Sequence, residues 1–290
     1  MTTSEPPPGA NAGAQTARFS IEVPGSSSNL GPGFDVLGLA LSIWLRLDVE
    51  VDGSASEASD APILTYTGEG ADSVPLAWEK NLITHTAAYV LAAERPAASV
   101  GPLFPRGTTV RVSNQIPLGR GLGSSGAAVV AGVLLANELG ELGLLRERVL
   151  DYCLTIEGHP DNVTAATAGG FVASYLRDVS REFLDTLVAD RRPPPPSIVR
   201  LVRLGWAPEI KAVVVVPDFQ VATVRARAAL LDAYPRADVV FNLQRLAVLT
   251  TGLGRSPPDA ELIFNAMADR VHQPHRMHLV SFLWEKKNKN

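Results

Sequence analysis

Residues 117–132 read PLGRGLGSSGAAVVAG. Gly119, Gly121, Gly123 and Gly126 are interleaved with Ser124 and Ser125, and small apolar residues follow without a break. Glycine reaches backbone conformations closed to other residues and lets a ligand approach the main chain. The serines suit a helix N-cap, and the Ala/Val/Leu run after them predicts a helix buried on all sides, to about Leu139. A Gly-rich turn that feeds a helix N-terminus aims several N–H groups outward, and the helix dipole adds to them. The stretch therefore reads as a phosphate cradle, with a nucleotide as the natural owner of the phosphate. It is not a Walker A loop, because no lysine stands near it. Gly121, Gly123 and Gly126 do spell GxGxxG, with Glu141 spaced for a ribose contact, but the preceding strand opens no β-α-β unit and two serines interrupt the loop. A plain tight turn would not need four glycines and two serines at a helix start.

Outward from this loop, the chain has 290 residues, enough for one large or two medium domains, and its 46% hydrophobic content is ample for a core. A net charge of −4 argues against nucleic acid or an anionic membrane as the main partner. The single cysteine, Cys153, allows no internal disulfide and suits a reducing compartment. The most apolar stretch, Ala127 to Leu135, is too short to span a bilayer and runs into Asn137, Glu138 and Glu141. The segment MTTSEPPPGANAGAQT has no basic residue and no apolar centre, so residues 1–17 read as a disordered tail rather than a targeting peptide, which leaves the cytoplasm by default.

The expected fold class is α+β. Strands are predicted at 18–23, 36–51, around ILTYTGEG with no evident partner, and at 107–117; helices at 79–94, after the loop, and at 145–157. NVTAATAGG and FVASYL suggest a helical turn and then a strand. RRPPPP (191–196) is the clearest linker signal, so the expected division is 18–190, a Pro-rich linker or insertion at 191–205, and 206–290. In the last part KAVVVVPDF (211–219) reads as a buried strand, followed by three helices.

PLGRGLGSSGA resembles the ATP loop of the GHMP small-molecule kinases, Pro-x3-Gly-Leu-Gly-Ser-Ser-Ala, with Gly126 in place of the usual Ala. VPGSSSNLGPGFDVLGLAL (23–41) resembles the opening signature of the homoserine kinase branch of that family. HPDNV (159–163) and DRVHQPHR (269–276) resemble its later motifs, in the right order. The resemblance implies a two-domain fold, with a mixed sheet covered by helices on one side and an incomplete ferredoxin-like C-terminal α/β sandwich. It also implies ATP-dependent phosphorylation of the L-homoserine hydroxyl on the way to threonine.

Homoserine is a zwitterion with a free hydroxyl, so its site needs an anion, a cation and neutral hydrogen-bonding groups. By resemblance, Asp35 meets the ammonium, Arg276 and Arg227 (or its neighbour Arg225) meet the carboxylate, and Asn29, His159 and Asn162 orient the rest. Pro117, Gly119, Arg120, Gly121, Leu122, Gly123, Ser124, Ser125 and Gly126 would hold the ATP phosphates, with Asn81 near the adenine. Glu157, with Ser125, would ligate Mg²⁺. Proton transfer through Asn162 to the phosphate itself, or a general base in Asp161, are the two catalytic readings. Asp161 also suits a helix cap, Asn29 and Asp35 suit turns, and Glu157 suits a solvated helix end. His272, His275 and His278 are spaced like metal ligands, but Pro274 breaks the helix that would align them. A homodimer is among the assemblies the family implies.

One departure stands out. The family's third signature, a Ser-Gly-x-Gly-Pro-like stretch, is not found, and SFLWEKKNKN is unlike the segment expected there. This predicts a truncated second domain, KAVVVVPDF without sheet partners, and weakened ATP binding. The alternatives are another GHMP kinase, for a sugar or mevalonate-type alcohol, or an inactive homologue that acts by binding.

Overall fold

A computed structural model of the chain describes residues 16–53, 60–95, 101–216, 219 and 223–279. The elements, in order, are β1 (Ala17–Ser28), β2 (Leu37–Val51), β3 (Ile63–Gly68), α1 (Leu82–Glu94), β4 (Thr108–Asn114), α2 (Ser124–Leu139), α3 (Arg146–Glu157), α4 (Pro160–Ala168), β5 (Phe171–Leu176), α5 (Arg181–Ala189), β6 (Val199–Leu204), α6 (Thr223–Ala228), α7 (Arg236–Gly252), α8 (Ala260–Ala266) and α9 (Gln273–Arg276). Residues 1–15 of the expected tail lie outside the described residues, and Ala17 already belongs to β1.

β2 organises the sheet. β1 runs antiparallel along nearly its whole length, while β4 pairs with its C-terminal half and β5 with its first residues. β3 adds to β4 in parallel and β6 to β5 antiparallel, so the sheet is mixed. ILTYTGEG thus finds its partner in a strand more than forty residues away in sequence, a pairing its own pattern cannot name.

The β1–β2 register shifts between Pro24 and Ser26. The first strand therefore continues through the Pro-Gly step to Ser28, where the sequence suggested a break. A bulge of this kind turns the side chains over. Beyond it, Leu45, Leu47 and Val49 pack in the main core with Val90, Val130 and Val133 of α1 and α2. Before it, Gly38 faces α4, and Leu37 and Leu39 pack with Leu249 of α7 and Leu253 at its C-cap. Helices therefore cover one face of the sheet, as expected, and α7 covers part of the other. α2 is buried at nine of the eleven positions from Gly126 to Ala136, all but the partly buried Ala128 and Leu134, because it lies between the sheet and the helices α1 and α3.

Three stretches follow the sequence pattern to different degrees. The 191–205 stretch, expected as a Pro-rich linker or insertion, contains β6. Its Pro-rich start is pinned to the helical layer: Tyr89 Oη donates to the Arg192 carbonyl at 2.8 Å and Arg148 to that of Pro194 at 2.6 Å. The buried Asp151 carboxylate accepts the N–H groups of Ser197 and Ile198, both at 2.9 Å. Secondly, residues 211–216 form no strand, which corrects the buried strand read there, while their lack of sheet partners among the described residues is as expected and Val213 is 88% exposed. Thirdly, the C-terminal sandwich, expected to be incomplete, shows helices alone among the described residues after β6.

Candidate active site

The Gly loop turns left-handed at Gly119, Gly121 and Gly123, with φ of 66°, 75° and 72°. Gly123, not a serine, occupies the N-cap of α2, and no side chain caps the helix. Ser124 and Ser125 are its first helical residues, which corrects the capping role read from sequence. The first turn closes with Ala127 N–H on the Gly123 carbonyl at 2.8 Å, so the N–H groups of Ser124, Ser125 and Gly126 are the helix's unsatisfied donors. A side chain at Gly123 would place its Cβ 2.1 Å from Ser26 Oγ. The loop is tied to β1 by Ser26 N–H on the Leu122 carbonyl at 3.0 Å.

These donors open on a cleft of about 480 Å³, lined by Gly119, Arg120, Gly121, Gly123, Ser124, Ser125 and Gly126 on one side. Glu157, His159, Asp161 and Asn162 line its middle, and Asn29, Arg227 and Arg276 its far end. Residues from five separate stretches of sequence thus meet. Pro117 and Leu122 do not reach it: they line an apolar groove on another side of the loop and shape it from behind. Asn81 caps α1, accepting Ile83 N–H at 3.0 Å and donating to the Pro75 carbonyl at 2.9 Å. It lines a neighbouring pocket of about 260 Å³ with Tyr66 and Lys80, and that pocket shares Ser124 and Ser125 with the cleft.

A polar chain crosses the middle of the cleft. Ser125 Oγ donates to Glu157 Oε2 at 2.9 Å, Glu157 Oε1 lies 3.6 Å from His159 Nε2, and His159 Nδ1 is 2.9 Å from Asp161 Oδ1. Asp161 is 1% exposed, and Oδ1 also accepts the N–H of Asn162 at 3.0 Å. Burial alone would raise the Asp161 pKa, but the His159 bond and charge, with Ser28 and the Asn162 N–H, hold it below the usual carboxylate value. Burial alone would lower the His159 pKa, but Asp161 and then Glu157 outweigh it and raise it. The Asn162 amide is fixed from β1: Ser26 Oγ donates to its Oδ1 at 2.9 Å, and its Nδ2 donates to Ser28 Oγ at 3.2 Å. Ser26 and Ser28 had no role assigned from sequence, although Ser26 is the serine of the opening motif; what they hold lies more than 130 residues onward.

At the far end, Asn29 and Asp35 both adopt left-handed backbone, with φ of 60° and 56°. Asn29 Oδ1 accepts Asp35 N–H at 2.9 Å, so Asn29 shapes the turn while lining the cleft. Asp35 pairs with Arg227 through two bonds of 2.9 and 2.6 Å. Arg225 is exposed, which settles which of the two arginines faces the cleft. Arg276 is held by a knot built on Asp269, whose carboxylate accepts the N–H groups of Val271, His272 and Gln273 and an amide N–H of Asn242. His272 is buried, with Nε2 at 2.7 Å from the Gly31 carbonyl, which fastens this motif to the 29–35 loop. Its imidazole is thereby a hydrogen-bonding strut. Burial draws its pKa down, consistent with a neutral ring donating from Nε2. Among the described residues no group of three His, Cys, Asp or Glu side chains forms a metal-binding cluster, and no helix is long and apolar enough to cross a membrane.

Residues 81–170 match the family described as GHMP kinases N terminal domain. A solved structure of homoserine kinase from Cytophaga hutchinsonii superposes with a TM-score of 0.67 over 92% of this chain and 76% of that one, at 22% identity. Fold and sequence match together define a small-molecule kinase of the GHMP class. Curated homoserine kinases are close in sequence. That of Saccharomyces cerevisiae is 50% identical over 290 residues, which cover 92% of this chain and 80% of the relative. That of Schizosaccharomyces pombe is 48% identical over 91% of this chain and 78% of the relative. The chain belongs to the homoserine kinase family.

Proposed function

We propose that this chain transfers the γ-phosphoryl group of ATP to the side-chain hydroxyl of L-homoserine, giving O-phospho-L-homoserine on the route to threonine. The observation that carries the reading is the cleft itself. A helix N-terminus with three outward N–H groups stands at one end and two guanidiniums, one paired to Asp35, at the other. A phosphate suits the first end and a zwitterionic amino acid the second, with its ammonium toward Asp35 and its carboxylate toward Arg276 and Arg227. The hydroxyl then falls in the middle, near His159 and Asn162.

Phosphoryl transfer needs positioning and charge neutralisation more than covalent help. Glu157 and Ser125, joined side by side at the cradle, are an oxygen pair suited to Mg²⁺, which keeps most of its shell as water and phosphate oxygens. Bound there, the ion would neutralise charge on the β- and γ-phosphates. Asn162, locked by two serines, orients the acceptor hydroxyl, whose proton passes to an oxygen of the transferred phosphate. Asp161, with both charge and hydrogen bonds committed to His159 and Asn162, acts by orienting them rather than as the base. The pocket lined by Asn81 would take the adenine. The test is ADP release from Mg·ATP in the presence of L-homoserine, with the product identified by ³¹P NMR. Release that depends on mevalonate or galactose and not on homoserine overturns the reading.

A further inference from the structure

Phe34 stands between the two residues that carry the amino-acid end of the cleft, and nothing so far gives it a task. Its half-buried ring lines the cleft. The Arg227 guanidinium carbon lies 5.3 Å from the ring centroid and that of Arg276 5.5 Å. The His272 imidazole packs on the same ring at 5.2 Å between centroids. The two arginines are not equivalent. Arg227 is neutralised by its double bond to Asp35. Arg276 is half-buried and, among the described residues, has no carboxylate within ion-pair distance. What it has instead is the ring, whose negative face attracts a cation without cancelling its charge. Burial and the neighbouring Arg227 work against that cation, while Asp35, Asp161 and Asp269 favour it from beyond ion-pair distance.

We propose that Phe34 is a specificity-determining positioning residue. Its ring seats Arg276 in the cleft as a cation with no direct ion-pair partner among the described residues, so that the site selects acceptors that carry a carboxylate. An ion-paired arginine would have to exchange partners before it could take a substrate carboxylate; a ring-seated one does not. His272, fixed on the Gly31 carbonyl, backs the ring and keeps this arrangement rigid. The inference rests on the amino-acid acceptor proposed above.

The experiment compares L-homoserine with L-homoserine amide, which keeps the hydroxyl and ammonium and lacks the carboxylate charge. Wild-type protein is expected to favour the acid strongly in kcat/KM. Phe34→Leu should raise KM for L-homoserine about tenfold, the scale of one cation–π contact. It should leave KM for ATP and for the amide within about twofold and so shrink the preference, and Phe34→Tyr should restore it. If Phe34→Leu fails to fold by thermal melting, Phe34→Met supplies a second ring-free side chain. Equal KM changes for acid and amide, or none, overturn the role of Phe34. A wild-type protein that does not phosphorylate homoserine at all overturns the acceptor reading instead.

Discussion

Replacing Gly38 by alanine tests how tightly the sheet and the active site are coupled. Gly38 lies in β2 with an ordinary extended backbone, so alanine meets no backbone penalty there. Its Cβ would nevertheless land 2.0 Å from the carbonyl oxygen of Asp161 and 3.0 Å from Ala165 Cβ. An ordinary contact is longer by more than an ångström, and the obstacle is backbone, so α4 must move away from the sheet. Overpacking of this kind costs about 2 kcal/mol, which for a protein of this size lowers Tm by about 5 °C. The larger effect falls on activity. The displaced segment carries Asp161, which holds His159, and Asn162, which is fixed from β1 by Ser26 and Ser28. A shift of about 1 Å in such groups costs about a hundredfold in rate. Urea unfolding would measure the first effect and homoserine-dependent ADP release the second. Gly143→Ala is the control, since Gly143 has φ of 63° but nothing within 4 Å of an added Cβ. It should cost about 1 kcal/mol of stability through backbone strain and leave activity unchanged. A Gly38→Ala protein with wild-type kcat/KM would refute the claim that α4 is held in place by contact with that glycine.

Further outcomes follow from the same geometry. The His159–Asp161 pair makes stability pH-dependent. Asp161, lowered from 3.8, stabilises above that value and loses its effect as pH falls through its folded pKa; His159, raised from 6.5, stabilises below that value and loses its effect as pH rises through its folded pKa. The stability gap between wild type and His159→Gln, followed by urea unfolding, should therefore be widest between these two values and narrow as pH rises through the raised His159 pKa; a gap independent of pH contradicts the pairing. Glu157→Gln should raise the Mg²⁺ concentration needed for half-maximal rate at least tenfold with little change in Tm; an unchanged Mg²⁺ titration removes Glu157 from the metal's shell. Asp151→Ala strands two backbone donors and should destabilise by about 2–4 kcal/mol in denaturant unfolding, although it lies far from the chemistry; a loss under 0.5 kcal/mol would mean that the 191–198 segment is held by other contacts.

What the sequence determined is what depends on near neighbours in the chain. The all-apolar run after Gly126 could only be an enclosed helix, and the glycines before it only a left-handed loop, because periodicity and backbone freedom are local properties. The phosphate end of the site was legible for the same reason, since its donors are consecutive N–H groups of one helix start. The tertiary structure decided what depends on distant partners. KAVVVV has the composition of a core strand, yet Val213 is exposed, since a strand is buried only where another lies beside it. β6 carries a weak local signal and exists because β5 receives it, whereas α5 has an amphipathic pattern and a Ser180 cap that are legible in its own sequence. The serines that fix Asn162 and the ring that seats Arg276 are ordinary turn residues in sequence. Only folding brings Ser26 across 136 positions to Asn162 and Asp35 across 192 positions to Arg227, and so chooses Arg227 over Arg225.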